Sequence, residues 1–593
     1  MASPFRPAAT STRRALLARG ATAAGALALG SLGLSQAARA LDAEPVSAAS
    51  SRRQTQPNVL VILVDEMRAP RWFPDQASLD RMLPHTASIR RGAVSFARHF
   101  VASNCCTPAR GALVTGLYSH QTGCLVTGRS ELDPGFPTWG TLLREHGYTT
   151  TWWGKWHLSR SSTLEPWGFS GGTFPSPNGA PGQGLRADPL IAGQFESWLA
   201  DAGGDGPWCT TVSFVNPHDI VWWYRYTRHH PRERHVPRVF TRLPGNFETP
   251  EQLRERGKPR LQSSLQDVAA AGFGEVPYRG REARALWCAQ RDLYLQLQRD
   301  VDVQIGRVLR ALAAQPQIAR DTVIVFTSDH GEYGGSHGLR GKGGGVYDEG
   351  IQVPLFVKDP RGTLTARPEV PRPQLTSSVD IAPLLLTIAA GSSAWRRDPR
   401  YAHLASRADL AAMCADPRAP GRPWIVHATD EVQTEFSPQL YDAAAPRHVV
   451  SVRTAHAKYA VYSNWRAGSL EVAAAGAEHE LYEYSSTAGR LELDNRHGAS
   501  ALEEPMARLL AERAVPDELR APLPTALAGA QARGLRDYRQ VSSVVQAQVT
   551  RDLHRHALIA ERHIPSVPRE PFPLRVPSPA VHPPHPPALA PRR

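Results

Sequence analysis

Asn58-Val59-Leu60-Val61-Ile62-Leu63-Val64-Asp65 is an unbroken apolar run, rich in β-branched residues, that ends on a carboxylate. A strand exposed on one face alternates apolar with polar residues. An unbroken run of this kind instead fits a strand covered on both faces, as in a parallel sheet. Two further segments share the texture. Thr322-Val323-Ile324-Val325-Phe326-Thr327-Ser328-Asp329 also ends on aspartate, and Thr211-Val212-Ser213-Phe214-Val215 closes at Asn216-Pro217-His218-Asp219. Helical stretches lie between them, for instance Thr141 to His146 and an amphipathic segment around Leu293 to Leu312. The alternation predicts an α/β fold with a large central, mostly parallel sheet covered by helices on both faces. Ligands of such sheets bind beyond the carboxyl ends of the strands. All three runs end in residues able to bind a metal or move a proton.

From about Arg422 the texture changes to short alternating strands: Val449-Val450-Ser451-Val452-Arg453, Tyr459-Ala460-Val461-Tyr462 and Glu480-Leu481-Tyr482-Glu483-Tyr484. They predict a smaller C-terminal subdomain with an antiparallel sheet, and Ala501 to Ala514 a helix packed on it. The organisation expected is an address at 1–40, a linker at 41–56, the large α/β domain at 57–421, the antiparallel subdomain at 422–515, a helical extension at 516–564 and a tail at 565–593. That tail holds eleven prolines in 29 residues and reads as extended chain. No internal repeat is evident.

The address is a three-part pattern. Paired Arg13-Arg14 precede an Ala/Gly/Leu-rich run from Ala21 to Leu34, and Ala38-Arg39-Ala40 has the small-x-small form of a cleavage site. The paired arginines favour a twin-arginine signal, which predicts a bacterial protein exported folded to the periplasm or beyond by the twin-arginine machinery. The apolar run is too short and too weakly hydrophobic for a membrane span, which needs about 20 apolar residues. No other segment reads as one.

The formal net charge of +13 over 593 residues invites a polyanion-binding reading, but only five of the 68 basic residues are lysine. Such an arginine bias reads as a habit of coding composition, so no nucleic-acid partner is expected. Where a lysine survives, a compact ammonium that a guanidinium cannot replace is the natural explanation. Two of the five, Lys155 and Lys342, fall inside the motifs below. Six cysteines are too few for a disulfide framework in a chain this long.

The most specific motif is Cys106-Thr107-Pro108-Ala109-Arg110, followed by Gly111-Ala112-Leu113-Val114-Thr115-Gly116. By itself it also fits a buried cysteine at a helix start with proline in the first turn. Other blocks accompany it in order: Asp65-Glu66, Gly154-Lys155-Trp156-His157-Leu158, Ser328-Asp329-His330-Gly331-Glu332 with His337-Gly338-Leu339-Arg340-Gly341-Lys342, and Tyr347-Asp348-Glu349-Gly350-Ile351-Gln352-Val353-Pro354-Leu355. Together they resemble the cysteine-type, arylsulfatase-like sulfatases of the alkaline phosphatase-like superfamily. The likeness covers about Pro57 to Lys358 and returns at Glu480 to Asn495 with an E-x-E-L-Y pattern.

The resemblance implies a sulfuric ester hydrolase in which a formylglycine-generating enzyme oxidises Cys106 to formylglycine. A hydrated aldehyde carries two hydroxyls on one carbon, so one can attack sulfur and the other can later expel sulfate. It further implies that Asp65, Glu66, Asp329, His330 and the oxygen at position 106 bind a divalent metal. Arg110 and Lys155 would hold the formylglycine and sulfate oxygens, His157 would take a proton, and His218 and Lys342 would contact the ester and protonate the leaving alcohol. Glu66 stands where many members carry Asp, and His330 where many carry Asn. Oxygen-rich ligation favours Ca²⁺, while an imidazole tilts toward Mn²⁺. The substrate expected is a sulfate-ester small molecule or a sulfated glycan.

Two other functions fit the same motifs: a formylglycine-dependent phosphonate monoester or phosphodiester hydrolase, and a non-catalytic, polyanion-binding protein on this fold. Blander readings stand beside individual residues. Asp65 could cap a helix, His218 could be a turn histidine, and His337 reads as well in a loop role as in substrate contact. Gly343-Gly344-Gly345 lacks the strand and helix context of a phosphate loop and reads as a flexible carrier for Lys342. Trp222-Trp223-Tyr224-Arg225-Tyr226, leading into Arg228-His229-His230, reads either as a wall for a ring or anion or as a surface lid.

Overall fold

The computed structural model describes residues 56–174, 181–225, 238–430, 442, 445–466 and 472–561. The expected address, most of its linker, the Tyr226–His230 stretch and the proline-rich tail lie outside the described residues. Twelve strands form two sheets: β1 (Asn58–Val64), β2 (Val94–Phe100), β3 (Thr149–Lys155), β4 (Thr173–Phe174), β5 (Trp208–Phe214), β6 (Thr322–Ser328), β7 (Leu355–Lys358), β8 (Arg372–Ser377), β9 (Ile425–Thr429), β10 (His448–Arg453), β11 (Ala457–Trp465) and β12 (Val472–Glu483). The large sheet has the order β4-β3-β5-β1-β6-β7-β2-β8. Only β7 runs against the others, pairing antiparallel with both β6 and β2.

β1 lies at the middle, and every one of its residues is buried. Val59, Val61 and Leu63 join one core, with Leu113 and Val114 of α1 (Cys106–Thr115). Leu60, Ile62 and Val64 join the other, with Ile191 and Phe195 of α2 (Gln183–Ala202) and Val301, Ile305 and Val308 of α3 (Gly280–Ala313). The pleat sends alternate residues to opposite faces, so two helical layers require both sets to be apolar. That requirement is the physical origin of the unbroken run.

The parallel register brings the strand ends level. Val64 of β1 pairs with Phe214 of β5 and with Ser328 of β6, so Asp65, Val215 and Asp329 follow from adjacent points on one edge. β3 completes the row. Gly154 pairs with Ser213 at φ +102°, and a Cβ there would sit 2.1 Å from the Ser213 carbonyl oxygen. Glycine is therefore required directly before Lys155.

β12-β11-β10-β9 form the antiparallel sheet. One face, with Val450, Val452, Tyr459 and Leu481, packs on Met506 and Leu510. The other, with Val449, Ala460, Tyr462 and Tyr482, packs on Tyr333 and Tyr347 of the large domain. The helix expected over Ala501 to Ala514 is shorter. It spans Glu503–Leu509 and widens into a π-helical stretch, Leu510–Leu519, that contains Pro516. Proline has no N–H for the bond to the fourth preceding carbonyl, which accounts for the loss of regular helix there. A long helix, Ala528–Glu561, follows. No helix among the described residues is long and apolar enough to cross a membrane.

Candidate active site

The carboxyl ends of the central strands of the large sheet gather a buried cluster of charge. Cys106 is the first residue of α1, with Cys105 as its extended N-cap and Gly116 closing the helix in the left-handed region. Asp65, Cys106, Asp329 and His330 each present one donor atom, all within 4.8 Å of one another, and all four residues are buried. Glu66 stands apart from this quartet. With Asp65 and His218 it forms a second group of the same compactness.

Glu66 adopts φ +68°, a left-handed conformation unfavourable for a residue with a side chain. The strain turns the chain sharply after β1, so two neighbouring carboxylates project into one region rather than to opposite faces. The Glu66 amide donates to Asp329 Oδ1 at 3.1 Å, and the Met67 amide to Ser328 Oγ at 2.9 Å. His157 (φ +61°) repeats the device after β3.

Arg110 holds the two aspartates together. Its Nη2 donates to Asp65 Oδ2 (2.7 Å), its Nε to Asp329 Oδ2 (2.8 Å), and its Nη1 to the Lys155 carbonyl (2.9 Å) and Ser213 Oγ (3.0 Å). These contacts direct the guanidinium at the two carboxylates beside position 106. Lys155 Nζ lies 2.6 Å from Asp65 Oδ2 and 3.7 Å from Cys106 Sγ. His330 Nε2 is 3.2 Å from the same sulfur, and its Nδ1 is 3.1 Å from the Gly331 carbonyl. A carbonyl only accepts, so Nδ1 carries a proton, and, against burial, Asp329 above all raises the ring above its ordinary range.

Electrostatics follow from this crowding. Burial disfavours a Cys106 thiolate, but Lys155, Lys342 and His330 outweigh it and hold the thiol well below its ordinary range. Burial likewise opposes a charged Asp65, and Lys155 above all keeps it below the usual carboxylate range. Glu66 is pushed well above its usual range by burial, against the pull of Lys342, whose Nζ donates to Glu66 Oε2 at 2.8 Å. His218 is pushed down to about 4 by burial, then by Lys342 and Lys155.

Whether the residues suit a metal can be judged from their atoms. Asp65 Oδ1 is buried and, among the described residues, accepts no hydrogen bond. A buried carboxylate oxygen without a donor is costly unless a cation faces it. The convergence of two aspartates, an imidazole nitrogen and the position-106 atom fits a hard divalent ion.

Two carboxylates missed in the sequence hold the His218 loop. Asp188, on α2, accepts from the Val215 amide (2.6 Å) and the Asn216 amide (3.0 Å). Asp219 accepts from Gly184 N at 3.0 Å, within the first turn of α2, and burial pushes it up to about 6. Asp219 was visible in the quoted turn. Asp188 carries no sequence signal, because its partners are backbone groups 27 and 28 residues away. His337, by contrast, lies outside the pocket's ligand groups. It stacks on Tyr347 at 3.7 Å and pairs with Glu248 at 2.6 Å.

The fold and this edge define an α/β protein that gathers metal-ligand candidates and a reactive cysteine beyond the ends of parallel strands. Residues 57–392, more than half of the chain, match the sequence model of the Sulfatase family, and the chain belongs to that family. It is 27% identical over 338 residues to the uncharacterised sulfatase YidJ of Escherichia coli K12, covering 51% of this chain and 62% of that one. It is 25% identical to mouse steryl-sulfatase, covering 59% and 64%. The matches thus span under two thirds of these relatives' lengths. Among solved structures, the phosphonate monoester hydrolase of Silicibacter pomeroyi shares the fold, with TM-score 0.56, 20% identity and coverage of 77% and 94%.

Proposed function

We propose that the chain is an exported hydrolase of sulfate esters, acting through a formylglycine derived from Cys106 beside a bound Ca²⁺. The observation that carries the reading is the convergence of Asp65, Asp329 and His330 on Cys106 at the tip of α1. A hydrated formylglycine would supply the nucleophilic oxygen and the ion would polarise the sulfate oxygens.

The chain's own side chains then have distinct tasks. Arg110 bridges Asp65 and Asp329 beside position 106 and neutralises part of their charge. Lys155, close to the Cys106 sulfur, supplies fixed positive charge where negative charge develops. His157, which hydrogen-bonds the side chain at 106, is placed to take a proton from that residue. Lys342 and His218 both lie against Glu66, and His218 also hydrogen-bonds the side chain at 106. With its neutral form favoured by burial, His218 serves best as a hydrogen-bond partner of the ester oxygen. The ammonium of Lys342 stands beside it as the charged donor to the leaving alcohol. Sulfate-ester small molecules and sulfated glycans both suit this chemistry.

Mass spectrometry of the peptide spanning residues 98–110 tests the reading, with an aldehyde expected in place of the thiol. Parallel assays with an aryl sulfate and an aryl phosphodiester complete it. Faster turnover of the phosphodiester would assign the protein to the phosphonate and phosphodiester branch instead. An intact thiol with no turnover of either substrate would leave only a binding role.

A further inference from the structure

Beside the charged pocket lies an open cavity of about 920 Å³ that the chemistry above does not use. Trp223, Phe240 and Leu293 line it with apolar surface, and Arg238, Arg281 and Arg284 line it with guanidinium groups. Those three arginines are exposed, and among the described residues they form no salt bridge and no hydrogen bond. Neighbouring arginines are committed: Arg291 donates to the Arg242 and Trp72 carbonyls, and its guanidinium lies over the Phe240 ring. The one carboxylate in the lining, Asp292, is spent on the Val239 and Phe240 amides at 2.8 and 3.1 Å.

The cavity is linked to the candidate site along the chain. One short 3₁₀ helix, His218–Trp222, runs from His218 to Trp223 at the cavity wall. At a rise of about 2 Å per residue, five steps separate the two by about 10 Å. The other side of the Trp223 ring faces Arg340, whose guanidinium lies 5.5 Å from it, two residues before Lys342. Trp223 is thus tied to the two segments that carry His218 and Lys342. Apolar surface suits the face of a ring, and an uncommitted guanidinium suits a sulfate or carboxylate, which it can engage through two parallel hydrogen bonds. An arginine-rich surface alone would not place three unpaired guanidiniums around an aromatic cavity at this position.

We propose that this cavity is a leaving-group subsite that selects substrates carrying a second anionic group about 10 Å from the scissile sulfate. The proposal rests on the sulfate-ester reading of the adjoining site. The probe pair is biphenyl-4-yl sulfate and biphenyl-4,4′-diyl bis(sulfate), which differ by a sulfate at the far end of a rigid ring system. The wild-type protein should favour the bis(sulfate) by about tenfold in kcat/KM, mostly through KM, and the preference should shrink with added salt. In Arg281→Gln/Arg284→Gln the ratio should fall to about one. An unchanged ratio overturns the proposal.

A second arm needs no turnover. Cys288 lines the same cavity and is 7% exposed, so its alkylation by iodoacetamide reports occupancy. Biphenyl-4,4′-disulfonate, which cannot be hydrolysed, should slow alkylation of Cys288 in the wild type but not in the double variant. Equal protection by biphenyl-4-sulfonate overturns the proposal. If neither ester is cleaved, the functional reading fails and protection alone decides the subsite.

Discussion

Two of the molecule's clusters of buried charge differ in one respect. At the junction of the two sheets, Asp348 and Glu492 face Arg453 and Lys458. Lys458 Nζ lies 2.9 Å from Asp348 Oδ1 and 2.5 Å from Glu492 Oε1, Arg453 pairs with Asp348, and Arg71 Nη1 reaches Asp348 Oδ2 at 3.2 Å. The Asp348 amide donates to Glu492 Oε2 at 2.9 Å. All four carboxylate oxygens have a partner. At the edge of the large sheet, Asp65, Asp329, Arg110 and Lys155 are equally buried, yet Asp65 Oδ1 has no donor and the donor atoms converge on one point. Burial and opposite charge are thus common to scaffold and site. An open lone pair together with converging ligand atoms marks the site. His337, Glu349 and Glu492 also come close enough to hold an ion, but Arg68, Lys458 and Arg453 already neutralise that group.

Replacing the atom at the focus of the open cluster should have the largest effect. Cys106→Ala is expected to lower kcat/KM by at least about 10⁴-fold, with little change in the thermal midpoint. A variant retaining a tenth of wild-type activity would show that position 106 is not the reacting residue. Next comes the ion. Chelation should abolish turnover, Ca²⁺ should restore it, and Ca²⁺ should raise the thermal midpoint by mass action. Asp65→Asn should lose both responses. Glu492→Gln, in the closed cluster, should cost stability on the order of 3 kcal/mol by removing one of the two carboxylates that neutralise Lys458 while keeping both responses. Ca²⁺ stabilisation that survives Asp65→Asn but disappears in Glu492→Gln would reverse the roles assigned to the two clusters.

The difference between the clusters was only half legible in the sequence. β1 and β6 announce themselves, because a strand between two helical layers has no polar position to spare. Pro108 likewise marks the start of α1, where a missing N–H is harmless. The four-residue β7 is too short to carry a period, so its reversed direction emerges only from pairing. Sequence also names Arg110 without saying which way it points, since a guanidinium suits sulfate and carboxylate equally. The low pKa of His218 depends on how fully the tertiary structure excludes water, which no local pattern encodes. Glu66 at φ +68° is a further case, because the strain is imposed by the strand ends around it.

Mild acid should also weaken the surroundings of the closed cluster, through two buried histidines. His99 and His427 are each pushed down to about 4, chiefly by burial. Asp380 and Arg422 face the first, and Lys458 and Asp430 the second. Because the folded value lies below the ordinary 6.5, the unfolded chain takes up these protons first as pH falls. Stability is therefore full above about pH 6.5 and is lost on the way to pH 4, by up to about 2 kcal/mol for each histidine at pH 5. Thermal midpoints measured from pH 7.5 to 5 should decline, and His427→Gln should flatten the decline. A flat profile in the wild type would show that these rings are not held neutral.

The smallest effect is expected where carboxylates touch the open cluster only through the backbone. Asp188 and Asp219 bind amides on either side of the turn that carries His218, and neither contacts a metal-ligand candidate. Asp219→Asn keeps an acceptor oxygen for the α2 amides but removes the negative charge from the helix N-terminus, a change worth about 1 kcal/mol. It should lower kcat by about threefold to tenfold and leave KM nearly unchanged, because the turn shifts His218 and not the sulfate-binding groups. Asp219→Ala, which removes the acceptor as well, should cost more in kcat and lower the thermal midpoint by a few degrees. A fall in Ca²⁺ affinity in either variant would mean that the His218 turn and the ligand quartet move together. The boundary between site and scaffold would then lie beyond α2.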